Sequence, residues 1–151
     1  MIDIKGYRVD EELYYTRDHV WAKVEGENVR VGADDYTGKT AGEFTYVDLP
    51  FEGDEVEQGE TLAKVQSSKW VGKLAAPVSG EIIEVNEDLD RDATLLNKDP
   101  YGKGWVAVIK ATNLESELRN LISGDAVKDW MRLEAEKAEK EGYREKAEQA
   151  E

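Results

Sequence analysis

One lysine, Lys69, lies where a chemical group could be attached, within the stretch "VQSSKWVGKLAAPVSGEI" (residues 65–82). Ser68 and Trp70 flank it, and eight residues later Pro77 begins a Pro-Val-Ser-Gly turn. A lysine at a turn between two strands presents its amine to solvent on a rigid backbone. From the spacing alone, an ordinary exposed turn lysine is the simpler interpretation, and a modified lysine is the alternative.

The chain offers little other chemistry. It has no cysteine, which excludes structural disulfides, thiolate metal sites and a cysteine nucleophile. Any thiol chemistry therefore has to come from a cofactor. The single histidine, His19, has no serine or acid that the sequence identifies as a partner, so packing beside Trp21 is the favoured interpretation. The acidic residues show no EF-hand spacing and no obvious acid–base pair, and we predict neither a metal site nor a catalytic residue.

Charge and hydropathy limit the classes of partner. The 151 residues include 34 acidic and 20 basic side chains, for a net charge of -14. Phosphate backbones and anionic lipids repel such a chain, so we expect no nucleic-acid partner. No apolar run approaches the roughly 20 residues that a bilayer requires, and we expect no membrane insertion. The polar N-terminus lacks the features of a signal peptide, which favours a cytoplasmic protein.

Alternating apolar residues and glycine-containing turns predict a mainly β fold. A hairpin is expected within residues 13–32, and further strands are expected within 44–50, 53–68, 72–85 and 105–111. The segments "DEVEQGETLAKV" and "APVSGEIIEV" both indicate strand, turn and strand. Two related hairpins would place the lysine described above at the connection between them.

Helices are expected to be few before residue 113. Asp34 and Asp35 are good N-cap residues, and they predict a short helix within residues 33–44 that ends near Gly42. Residues 88–104 are expected to be mostly loop.

The C-terminal part of the chain is predicted to be helical. Leucines at helical spacing begin at Leu114, and Gly124 interrupts the pattern before a second helix. Residues 113–133 are expected to pack on the β domain, and residues 134–151 are expected to form a charged, fraying helix or a disordered tail. The predicted apolar face of the second helix comprises Val127, Trp130, Met131 and Leu133.

Several stretches together resemble the H proteins of the glycine cleavage system, which are lipoyl carriers. They are "YYTRDHVWAKVEG", "VRVGADDYTGKTAGEFTYVDLP", "GDEVEQGE", "KLAAPVSGEIIEVNEDL" and "LLNKDPYGKGWVAVIKAT", and they cover about residues 14–112. The resemblance implies a barrel-sandwich hybrid of the lipoyl/biotinyl carrier type, with a short internal helix and C-terminal helices. It makes residues 1–112 the carrier domain and implies lipoate joined to Lys69 by an amide. Biotin is disfavoured because biotin carriers usually place methionines beside the lysine.

The resemblance also implies a role. Such a protein is a substrate and shuttle for partner enzymes and is not itself an enzyme. Its lipoyl arm would supply the disulfide and dithiol chemistry that a cysteine-free chain lacks. The implied partners are a lipoate ligase or lipoyl-transfer enzymes, together with the enzymes that use the arm.

The chain departs from the glycine cleavage pattern at positions expected to surround the arm. Val20 and Gln66 each stand where a glutamate is usual, and Lys73 stands where an aspartate is frequent. Trp70 replaces a small residue. Lost carboxylates and a gained lysine disfavour a cationic aminomethyl cargo, because charge-assisted hydrogen bonds to an ammonium group are removed.

These departures favour sulfur as the cargo. The stretch "QSSKWVGKL" is more similar to the H-like lipoate-binding proteins of bacterial sulfur oxidation, which serve a heterodisulfide-reductase-like complex. We therefore predict a carrier of sulfur intermediates, with Ser68, Trp70, Val20 and Lys73 around the arm. The alternatives are a glycine cleavage H protein that carries the aminomethyl group, an unmodified acidic adaptor and, from a third class, an enzyme.

Overall fold

The computed structural model describes the backbone of residues 1–149 and the side chains of residues 1–141. The strands are β1 (Ile2–Ile4), β2 (Tyr7–Val9), β3 (Tyr14–Tyr15), β4 (Val20–Glu25), β5 (Asn28–Ala33), β6 (Phe44–Asp48), β7 (Glu55–Val56), β8 (Thr61–Ser67), β9 (Val71–Ala75), β10 (Gly80–Val85) and β11 (Ala107–Ala111). The helices are α1 (Asp35–Ala41), α2 (Asp88–Arg91), α3 (Leu95–Lys98), α4 (Leu114–Leu118) and α5 (Asp125–Gln149).

The strands form three antiparallel sheets in the described part of the chain. The largest has the order β3-β4-β5-β11-β10-β7, the second has the order β6-β8-β9, and β1 pairs with β2. Each strand therefore hydrogen-bonds to a neighbour of opposite direction, as hairpins and short connections allow. The mainly β fold with few helices confirms the predicted carrier-type architecture.

The two larger sheets share one main core. Strand β4 contributes Val20, β6 contributes Phe44, and β8 contributes Val65, and all three side chains are almost inaccessible to solvent. Leu74 of β9 and Ile109 of β11 complete the contact. Each such apolar side chain contributes about 1.5–3 kcal/mol of burial free energy. The β8–β9 hairpin packs on this core.

A second core joins the two ends of the chain. It contains Val9 from β2, Trp21 from β4, and Val127 and Met131 from α5. Strand β4 belongs to both cores, because successive side chains of a strand point to opposite faces. The β1–β2 hairpin was not predicted, since strands of three residues leave almost no alternation to detect.

Residues 88–104 differ from the expected loop. They contain α2 and α3, each a single turn of helix, with Leu89 and Leu96 buried in the main core. Four-residue helices are too short to show a 3.6-residue period, so pattern analysis classed them as loop. The following strand begins at Ala107, two residues later than the segment 105–111 indicated.

The C-terminal helices pack against the sheets. Glu117 of α4 is buried, and its carboxylate accepts hydrogen bonds from the Ser79 backbone N–H at 2.8 Å and hydroxyl at 2.6 Å. Gly124 has a φ of 62° at the predicted break between the helices. Leu133 is 66% exposed, so its assignment to the apolar face was wrong, and Ala135 is buried instead.

Helix α5 continues through the expected boundary at residue 133 as far as Gln149. The last two residues of the predicted tail lie outside the described residues. None of the helices that the structure describes is long and apolar enough to cross a bilayer.

Candidate functional site

Lys69 lies at the tip of the β8–β9 hairpin. The backbone N–H of Ser67 donates to the carbonyl of Trp70 at 2.8 Å, and Gln66 pairs with Val71 on the next step of the ladder. Three residues, 68–70, therefore connect the strands, and Lys69 is exposed between them. The described residues give it no ion pair. The Lys69 amine is thus exposed to solvent at the end of a hairpin whose strands are hydrogen-bonded up to the connecting residues.

The hairpin is anchored to α1 just below its tip. The Ser67 hydroxyl is buried and donates to the carbonyl of Ala41 at 2.7 Å. Ala41 is the last residue of α1, where backbone carbonyls lack partners within the helix. This hydrogen bond satisfies one of them and holds the base of the tip against the helix.

Asn97 of α3 organises the turn from α1 into β6. Its side-chain amide donates to the carbonyls of Gly42 at 2.8 Å and Gly38 at 3.2 Å. Its side-chain oxygen accepts from the backbone N–H of Phe44 at 2.9 Å. Since Phe44 pairs with Ser67, the carboxamide supports the strand next to the tip. Sequence reasoning missed Asn97, because its only sequence signal was a position in an expected loop.

Gly42 provides space for the Lys69 side chain. Its φ is 85°, a conformation that glycine adopts without strain. A Cβ atom at this position would lie 3.1 Å from Cε and 3.8 Å from Nζ of Lys69. The aliphatic part of the lysine therefore lies across the bare backbone at the C-terminus of α1.

Trp70 packs against the hairpin from one side. Its ring lies directly over Gly72, where a Cβ atom would collide with it, and meets the ring of Phe44 edge-on at 6.3 Å. The side chain is still 39% exposed. Trp70 therefore stiffens the tip while leaving part of its ring on the surface. Ser68 is exposed in the connection.

The other two predicted arm neighbours lie in different environments. Val20 is wholly buried in the main core, so it presents no surface to an arm. The strand alternation turns Val20 inward, so its burial does not support the prediction that it lies beside the arm. Lys73 is exposed on β9, directly opposite Lys64 of β8. Val20 and Lys73 thus do not belong to one surface around Lys69.

His19 is packed, as predicted, but it has acidic partners that the sequence did not reveal. Its Nδ1 lies 2.6 Å from a carboxylate oxygen of Asp34, and its Nε2 lies 3.3 Å from one of Glu134. The ring is stacked between Tyr36, at 4.1 Å, and Trp130, at 4.6 Å. The contact joins the turn just before β4 to α5 across 115 positions of sequence.

The environment of His19 favours the imidazolium form. Burial opposes protonation, but the hydrogen bond and charge of Asp34, together with those of Glu134, outweigh burial and raise the pKa of His19. Asp34 also caps α1, accepting from the Thr37 backbone N–H at 2.9 Å. Helix capping by Asp34 is therefore confirmed, and the same carboxylate serves the histidine.

The tip fits a group attached by an amide bond. The Lys69 amine is exposed and without an ion pair among the described residues, and its side chain runs over a glycine. Thiol chemistry at this position would have to come from the attached group, because the chain has no cysteine. The described residues include no grouping of three potential metal ligands among His, Cys, Asp and Glu.

Comparison with known proteins gives a consistent result. Residues 13–134 match the family model described as Glycine cleavage H-protein. The chain is 47% identical over 133 residues to a probable glycine cleavage system H protein of Thermococcus kodakarensis, covering 87% of this chain and 98% of the relative. It is 39% identical over 138 residues to glycine cleavage system H protein 4 of Aquifex aeolicus, covering 90% and 80% respectively.

A solved structure agrees in fold. The glycine cleavage system H protein from Mycobacterium marinum superposes with a TM-score of 0.66 at 33% sequence identity. The match covers 73% of this chain and 95% of that one.

Replacing Asn97 tests the support below the tip. Asn97→Ala leaves the Phe44 N–H and two carbonyls without their partner, and we expect a loss of about 2 kcal/mol in the free energy of unfolding. Urea unfolding measures it. The matched control is Asn113→Ala, because Asn113 is exposed and makes no side-chain cap bond, and we expect a change below about 0.5 kcal/mol. Equal losses in the two variants would contradict the role of Asn97.

Replacing Glu134 tests the histidine contact through pH. A raised pKa in the folded state contributes stability that is complete below the unfolded value near 6.5 and is lost as pH rises through the folded value. Glu134→Gln should therefore destabilise by on the order of 1 kcal/mol near pH 5.5, with the difference shrinking at higher pH. Glu136→Gln is the control, because Glu136 lies on the same helix and its ion pair in the described part of the chain is with the exposed Lys5. A loss independent of pH would refute the assignment.

Proposed function

Because this chain belongs to the glycine cleavage H-protein family, we propose that Lys69 carries lipoate through an amide bond and that the protein serves the enzymes of glycine cleavage. Members of this family are lipoyl carriers that act as substrates of partner enzymes and are not catalysts. The cytoplasmic location stays a prediction.

The position of Lys69 is the observation that carries this proposal. A carrier lysine must reach the active sites of other proteins, so its amine has to be exposed while its backbone stays in place. Ser67 and Trp70 close the hairpin directly beneath it, and the Ser67 hydroxyl ties that closure to α1. Rigid presentation limits the conformational freedom that an enzyme would have to remove on binding.

The attachment chemistry needs only the amine from this chain. Lipoate and ATP first give lipoyl adenylate and pyrophosphate. The neutral Nζ of Lys69 then attacks the carbonyl carbon of the adenylate, the amide forms, AMP leaves and the nitrogen loses a proton. A lipoate ligase supplies this adenylate, whereas a lipoyl-transfer enzyme would deliver the acyl group from another carrier, which then is the leaving group. Once attached, lipoate provides a disulfide and dithiol pair, which the cysteine-free chain does not otherwise contain.

Glycine cleavage replaces sulfur oxidation as the proposed pathway. The family model and the relatives compared above are named for glycine cleavage, and nothing in these comparisons supports a heterodisulfide-reductase-like partner. The electrostatic argument for a sulfur cargo has also weakened. It treated Val20 and Lys73 as one environment around the arm, whereas one is buried in the core and the other lies on an exposed strand.

The attachment site can be tested by intact mass. We expect wild-type protein incubated with a purified lipoate ligase, lipoate and ATP to gain one lipoyl group, which peptide mapping places on Lys69. Lys69→Arg keeps the charge but removes the nucleophile, so it should gain none. Lys23→Arg, at an exposed lysine of β4, is the matched control and should be modified like the wild type. Modification of Lys69→Arg to the same extent would contradict the proposal.

The pathway can be tested with labelled substrate. Lipoylated protein incubated with the glycine-decarboxylating enzyme and glycine labelled at its α-carbon should acquire that carbon, detected by mass spectrometry. Unmodified protein and Lys69→Arg should acquire none. A lipoylated wild-type protein that takes up no carbon, but carries sulfur removable by reductant when isolated from its host, would favour the sulfur pathway instead.

A further inference from the structure

The β6-β8-β9 sheet has an outward side that no other described element covers. Its core-facing side carries Phe44, Val65 and Leu74, and the residues between them point away from the core. We call this side the outer face. It consists of two cross-strand rows, Tyr46–Gln66–Val71 next to the hairpin tip and Asp48–Lys64–Lys73 below it, and all six residues are exposed.

The lower row holds two lysines in direct opposition. Lys64 and Lys73 are cross-strand partners, and among the described residues neither forms an ion pair or a side-chain hydrogen bond through its amine. Like charges placed directly opposite each other destabilise a sheet. Asp48 of β6 lies opposite Lys64 on its other side, but the described residues show no ion pair between them, so it offsets only part of this positive charge. The Lys64–Lys73 pair itself does not stabilise the sheet.

The upper row is apolar at both ends. Tyr46 is 56% exposed and Val71 is 72% exposed, with the uncharged Gln66 between them. Exposed aromatic residues are enriched in protein interfaces, and here the tyrosine ring and an exposed valine lie beside two lysines that form no ion pair among the described residues. The contact it complements is an apolar patch bordered by carboxylates.

We propose that the outer face docks the enzyme that acylates Lys69, and that this enzyme presents carboxylates to Lys64 and Lys73. This inference rests on the proposed attachment of lipoate to Lys69. Strands β8 and β9 end at the hairpin tip. An enzyme that binds their outer face would therefore hold the Lys69 amine at a fixed distance from the enzyme's active site.

Charge favours the acylating enzyme over later partners. Before acylation the hairpin carries three cations, namely Lys64, Lys69 and Lys73. Amide formation removes the charge of Lys69, so attraction to an acidic surface decreases once the reaction is complete. The unmodified protein is therefore bound better than the product, which lets the enzyme release it. Steering by such charges weakens as salt rises.

The sharpest test reverses one charge without harming the fold. Lys73→Glu replaces a repulsive cross-strand pair with an attractive one, so the variant should be at least as stable as the wild type. Lys23→Glu is the matched control, because Lys23 of β4 is exposed and lies opposite Arg30 in the same way. Both variants change the net charge equally, and only one of them alters the outer face.

Lipoylation kinetics are measured by intact mass with a purified lipoate ligase, lipoate and ATP, with protein concentration varied. We expect Lys73→Glu to raise KM by about tenfold with little change in kcat, and to remove most of the salt dependence of kcat/KM. Lys23→Glu should behave like the wild type. Binding measured without ATP should be weaker for lipoylated than for unmodified wild type.

Other results would overturn the docking proposal. Equal KM values and equal salt dependence in both variants would do so, as would a loss confined to glycine-dependent labelling of protein already lipoylated, since that would assign the face to a different enzyme. Sedimentation showing dimers of the wild type but not of Lys73→Glu would assign it to a second copy of the chain. A wild type that is never modified at Lys69 would refute the proposed function itself.

The apolar row has its own test. Tyr46→Ser removes the exposed aromatic ring and should raise KM in the same assay. Leu133→Ser, at a residue of α5 that is exposed to a similar extent, is the control and should have no effect. Equal behaviour of these two variants would exclude the upper row from the docking surface.

Discussion

The carboxamide of Asn97 is the interaction on which the attachment site depends. It donates to two carbonyls at the end of α1 and accepts from the first residue of β6, so a helix terminus, a turn and a strand are joined at one point. Strand β6 then pairs with β8, and the Ser67 hydroxyl at the end of β8 donates to a carbonyl at the end of α1. Backbone groups at helix ends need such partners when they leave solvent. Together these hydrogen bonds hold the base of the exposed hairpin tip against α1 and β6.

The hairpins around Lys69 could be predicted because their signals are local. Alternation of apolar residues and glycine turns indicated β8, β9 and β10, and Asp34 indicated the start of α1. Asn97 could not be predicted, since it lies in a single helical turn and acts through groups more than 50 residues away. The link between His19 and Glu134 was equally hidden, because only the folded chain brings β4 and α5 together.

The residues thought to surround the arm illustrate a further limit. Gln66, Trp70 and Lys73 are close to Lys69 in sequence, yet the pleat and the turn send them to different places. Trp70 lies over Gly72 against Phe44, whereas Gln66 and Lys73 belong to the outer face. An electrostatic comparison that groups residues by sequence distance therefore combines separate surfaces. The resemblance to a family identified the lysine correctly as a hairpin residue, but the assignment of its neighbours required the sheet register.

Two cores of unequal size imply two levels of cooperativity in the native state. The smaller core is made by the β1–β2 hairpin, part of β4 and the first turns of α5, whereas the hairpin that bears Lys69 rests on the larger one. Amide hydrogen exchange reports such separately opening units. Transient opening of the smaller unit would release the two ends of the chain together and leave the tip in place. Fluctuations of the termini therefore do not change the position of the lysine that partner enzymes must reach.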